Sequence, residues 1–86
     1  MPVSNLEETR AMNVLADSVT PLADLNLSLE RAANVYAETT GLSLERALNV
    51  KASTSGLSYT RAANVLAGTT GLELRQALNT LVDALP

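Results

Sequence analysis

Five asparagines, Asn13, Asn34, Asn49, Asn64 and Asn79, recur in near-identical surroundings. Each falls in the middle of a segment whose pattern predicts a helix, where asparagine has poor propensity. An amide carries two donors and an acceptor oxygen with two lone pairs. Such a ladder can hold a ligand or another chain's backbone, or it can cap helix-end N–H and C=O groups that tight links leave without partners. The second use is the expectation, because the links between the segments are short. Arg10, Arg31, Arg46 and Arg61, with Gln76 in the corresponding last place, form a parallel ladder. It is expected to be a row of solvated stems balanced by Glu30 and Glu45; the sharper alternative is contact with an acidic partner.

The remaining reactive types add little. The pairs Thr39-Thr40, Thr54-Ser55 and Thr69-Thr70 each precede a glycine, but a phosphate-cradling loop needs a Lys-Ser/Thr after a strand, and neither occurs. These hydroxyls are expected to bond locally at helix ends. Glu7, Glu8, Glu30, Glu45 and Glu73 would need a cleft to act as acid and base, and short Ala-rich helices offer little volume for one. The chain has no Cys and no His, which removes thiolate nucleophiles, disulfides, the usual neutral-pH base and the commonest metal ligands. No enzyme activity, cofactor, metal site or catalytic residue is expected. Six basic against nine acidic residues give a net charge of −3, which offers neither a nucleic-acid footprint nor a polybasic membrane patch. The acidic start Met1 to Glu8 does not read as a signal peptide, so the chain is expected to be soluble and made in the cytosol.

The elements that position these residues follow from a repeat. Residues 27–41, 42–56, 57–71 and 72–86 align with a period of 15 and no insertion. A degenerate earlier copy aligns Arg10, Ala11, Asn13 and Val14 with the later units but lies 21 residues before the next, so about six extra residues sit around Pro21. The division is an N-terminal helix with a short Pro-initiated turn over 1–26, then four tandem repeats over 27–86. Ser28, Ser43 and Ser58 are expected as N-caps, and Gly41, Gly56 and Gly71 as left-handed Schellman residues, each followed by a Leu that closes one helix and opens the next. Helices are predicted at 5–18, 29–39, 44–54, 59–69 and 74–84. Ser4 and Glu7 would form a capping box, and Pro21 would start a further turn at 21–25.

Helices of ~11 residues are marginal alone, so they must stack. Leu29, Ala32, Ala33, Tyr36 and Ala37 form an apolar stripe repeated in the later units, with Lys51 interrupting it. Ala33 and Ala63 alternate with Leu48 and Leu78, so a 30-residue pair overlies the 15-residue unit. The predicted fold is all-α: a stack of five or six short helices in a two-layer solenoid. Its C-terminal end, with Leu81, Val82 and Leu85, lacks a polar cap. That end, together with Tyr36, Lys51 and Tyr59, is the expected interface with a protein partner or with further copies in a homo-oligomer.

The repeated string A-x-N-V-x-A-x-T-T-G-L-S, found with variations around 33–43, 48–58 and 63–73, resembles the short helical repeats of virion proteins of tailed bacteriophages, notably those of actinobacterial hosts. Ala67-Gly68-Thr69-Thr70-Gly71-Leu72 matches the wording of that repeat, and the likeness spans about residues 27–82. The resemblance implies a structural, non-catalytic role in the virion. The leading expectation is a capsid decoration or minor capsid protein on the major capsid shell, with a neck or tail accessory protein as the alternative. An adaptor that binds a peptide or regulatory protein along its repeat face is the reading from a different class. The first copy departs from the pattern, with Asp17-Ser18-Val19-Thr20-Pro21 in place of Thr-Thr-Gly, so Val3 to Val19 could instead serve as a docking segment.

Overall fold

Each regular unit begins with a serine that stops the chain from continuing extended. Ser28, Ser43 and Ser58 sit in β-region conformation, and each hydroxyl accepts the N–H of the Arg three residues on at 3.3 Å. From these caps run α2 (Leu29–Ala37), α3 (Leu44–Ala52) and α4 (Tyr59–Ala67). They are preceded by α1 (Glu8–Val19) and followed by α5 (Leu74–Asp83). The last helix starts behind Glu73, whose N–H donates to Gln76 Oε1 at 3.3 Å. A computed structural model describes residues 6–21 and 26–85, and all its regular elements are these five helices.

The helices stop earlier than the glycines predict. Residues 38, 53 and 68 (Glu, Ser and Gly) take the left-handed conformation, two of them without the freedom of glycine, at φ 61° for Glu38 and 60° for Ser53. Glu38 N–H donates to Val35 O at 3.1 Å and Thr39 N–H to Asn34 O at 2.8 Å, the two bonds of a Schellman ending. The ending therefore falls three residues before Gly41, with Thr39 rather than Leu42 as its outer residue. Gly41, Gly56 and Gly71 do have positive φ (73°, 78° and 77°), but they lie within a six-residue link and turn the chain toward the next helix. Nothing lies within 4 Å of where their Cβ atoms would be, so it is the backbone angle that selects glycine there. The first unit lacks this stop, and α1 runs three residues longer than α2 before Thr20 turns extended. Helix α1 also begins at Glu8, behind Glu7, rather than at residue 5; Ser4 of the expected capping box lies outside the described residues. Pro21 is not helical, and the rest of the expected 21–25 turn lies outside them too.

The all-α stack of short helices read from the repeat is the fold. Its arrangement differs from a two-layer solenoid. Each helix packs on its sequence neighbour, α1 also packs on α5, and among the described residues no helix touches the next but one. Five neighbour contacts joined end to end make a closed ring, and the molecule is a disc of about 35 × 32 × 20 Å. Helix α1 is thus a member of the ring.

Two adjacent apolar residues per helix have no solvent exposure: Ala11-Met12, Ala32-Ala33, Ala47-Leu48, Ala62-Ala63 and Ala77-Leu78. Around the ring the second of each pair runs Met, Ala, Leu, Ala, Leu. Large and small side chains alternate within one cluster, which is how facing positions fill a core without voids. Five is odd, so two large residues, Leu78 and Met12, fall on neighbouring helices at the seam.

Candidate functional site

The asparagine ladder is the polar framework of the ring. Asn34 Nδ2 donates to Glu30 O and to Leu42 O, each at 2.8 Å, while its Oδ1 accepts from Leu42 N–H at 3.1 Å and from Thr39 Oγ1 at 2.8 Å. One amide therefore holds both backbone groups of the leucine that opens the next unit. Asn49 does the same for Leu57, and Asn64 for Leu72, with Thr54 and Thr69 supplying the fourth bond. Asn13 spans the longer link to Leu27, donating and accepting at 3.0 Å. Asn79 closes the circle: its Oδ1 accepts Leu6 N–H and its Nδ2 donates to Leu6 O, both at 2.8 Å. Leu6 precedes Asn13 by the same seven residues that separate Leu27 from Asn34.

All five amides are buried, and among the described residues no buried side-chain polar atom lacks a partner. Helix-interior asparagine is thus explained by saturation: donors and acceptors are used on backbone groups that would otherwise be stranded at the links. The threonines were legible only as general helix-end bonders. Their specific place, five residues after Asn34, Asn49 and Asn64, follows from a Schellman ending that falls earlier than the glycines predict.

The expected interface residues divide. Tyr36 is buried, and burial raises its phenol pKa above the usual value of about 10. Lys51 Nζ lies 4.7 Å from the centre of the Tyr36 ring, a cation–π contact between α2 and α3 that accounts for a lysine in the apolar stripe. Leu81, Val82 and Leu85 are partly buried against the core, and α5 packs on α1 rather than standing as the open end of a stack. Tyr59 remains 44% exposed.

The rim carries what the sequence reading missed. Three equivalent grooves lie between the outer face of a helix and the link that follows it. The groove on α2 holds Arg31, Asn34, Val35, Thr39, Thr40 and Gly41; the one on α3 repeats this with Arg46, Asn49, Val50, Thr54, Ser55 and Gly56. The groove on α4 is the largest, about 420 Å³, with Arg61, Val65, Thr70 and Gly71 in the matching places. Val50 and Val65 are each 50% exposed. The three guanidinium groups are exposed and make no ion pair among the described residues, so Glu30 and Glu45 do not neutralise them by contact. The valines follow each Asn directly and fall outside the apolar stripe, which was the available signal.

Among the described residues, no three His, Cys, Asp or Glu side chains gather as a metal site, and no helix is long and apolar enough to cross a membrane. No protein-family model, curated protein or solved structure matches the chain.

Proposed function

We propose that this chain is a non-enzymatic structural protein of a tailed-phage virion, a small capsid-decorating or minor capsid protein that binds the major capsid shell in many copies. The single observation that carries a binding role is the division of labour among polar side chains. The buried amides are occupied in holding the ring, while the outward face repeats one groove of Arg, Val and Thr along three successive helices. The phage setting rests on the resemblance of the Ala67-to-Leu72 string. A ring held at every joint presents its rim without a folding cost at the moment of association, which favours affinity through preorganisation. Burial of apolar surface then contributes ~25 cal/mol per Å² before association costs, and symmetric repetition on a particle multiplies weak contacts.

Mass spectrometry of purified virions, with copy number, tests this. Hundreds of copies per particle are expected. About a dozen copies would move the protein to the neck. Absence from particles that are otherwise complete would overturn the virion reading and favour an adaptor.

A further inference from the structure

The three rim grooves are not equal in charge. Those of α2 and α3 are lined by Glu30 and Glu45 as well as by Arg31 and Arg46, whereas the α4 groove has Thr60 at that position and Arg61 as its only charge. Arg61 is exposed and makes no ion pair among the described residues. Apolar walls come from Leu57, Val65 and Leu72, and the link adds Thr70 and Gly71, whose backbone N–H groups donate to no protein acceptor among the described residues. The volume of about 420 Å³ lies in the range of pockets that hold ligand groups.

From this we infer that the α4 groove is a docking site for an extended segment of a partner protein that presents a carboxylate beside an aliphatic side chain. Charge complementarity selects the occupant. A guanidinium takes a carboxylate through two parallel N–H bonds, and one with no competing acid nearby is free to do so. The neighbouring grooves answer the same segment with a carboxylate of their own, and like charges brought together at a contact oppose binding. A chain of net charge −3 otherwise repels acidic partners, so this groove gives them one orientation rather than a general attraction. The inference rests on the reading of the chain as a binding module, but not on its place in a virion.

The test is an amide-shift titration by NMR of the full chain with acetyl-Leu-Asp-Leu-amide, and with acetyl-Leu-Asn-Leu-amide as the uncharged control. Saturable shifts confined to Val65, Thr70, Gly71 and their neighbours are expected, with the control at least ten-fold weaker. Arg61→Gln should weaken binding by a similar factor, Arg61→Lys by less, and Arg46→Gln not at all. Thr60→Glu, which installs the residue type that α2 and α3 already tolerate, should also abolish the shifts. Preserved spectra of each variant report that the ring is intact. No binding up to ~10 mM, equal binding by Arg61→Gln, or equal shifts in all three grooves would overturn the inference. A chain that enters virions yet fails this titration would lose the groove assignment and keep the structural role.

Discussion

The seam between α5 and α1 and the joints among α2, α3 and α4 use the same amide, but they are not the same joint. At a regular joint the asparagine makes four bonds, and the unit it clamps follows after a six-residue link. At the seam Asn79 makes three, to Leu6 N–H, Leu6 O and Arg75 O, with no threonine hydroxyl on its oxygen. The clamped leucine there is separated from its asparagine by 73 positions rather than 8. Chain connectivity brings a regular joint together almost without help, whereas the seam must recruit the far end of the chain. The clamp is thus a means of joining units that does not depend on the order in which they are connected.

Five substitutions probe the ring and its two kinds of joint. The largest effect is expected for Asn49→Ala, which strands Leu57 N–H, Leu57 O and the Thr54 hydroxyl at one stroke and should cost about 2–4 kcal/mol in denaturant unfolding. For a chain of this size that is a fall in Tm of roughly 8–25 °C. Asn79→Ala should cost less, about 1–2 kcal/mol, because Leu6, which precedes α1, can turn its backbone groups to water. Equal losses at the two sites would show that the seam is as strongly determined as any regular joint.

Next in size is Glu38→Gly. Glu38 holds φ 61° at a place where α4 has Gly68, so relief of the left-handed strain should raise stability by about 0.5–1 kcal/mol, measured by the same unfolding curves. A loss instead would mean that Glu38 makes a contribution its backbone conformation does not reveal. The smallest effects concern Tyr36 and Glu45. Burial raises the folded-state pKa of Tyr36, so its contribution is complete below the unfolded value of about 10 and is lost as pH rises above that value through the folded one. Thermal melts between pH 9 and 11 should show a decline that Tyr36→Phe reduces. Glu45→Ala, on an exposed face, should stay within about 0.5 kcal/mol of the parent.

Much of this fold was legible. The 15-residue period located the starts of α2, α3 and α4 because a serine before the helix and a leucine before that are local signals, and Ser28, Ser43 and Ser58 accept the bonds such residues usually accept. The ends were harder. Glycine is the usual left-handed residue, so Gly41 attracted an assignment that belongs to Glu38. What stops α2 there is the pair of bonds from Thr39 to the backbone and side chain of Asn34, a contact five residues long that composition does not display. Ring closure was less legible still. Leu6 stands seven residues before Asn13 in register with the later leucines, but which asparagine would clamp it depends on how far each joint turns the chain, and no residue pattern encodes that angle. The rim grooves arise from the same turn, since Val50 and Val65 stay open only because the helices face their core residues toward the ring interior.

The closure of the ring is the claim on which the rest depends, and the contact between residues 6 and 79 reports it most directly. In a nitrogen-edited NOE spectrum of the full chain, cross-peaks are expected from the Asn79 side-chain amide protons to the Leu6 backbone amide, matching in strength those from Asn49 to Leu57. If the Asn49 peaks are present while the Asn79 peaks are missing, and the α1 amides exchange as fast as a frayed end, the helices form an open stack and the closed ring is wrong.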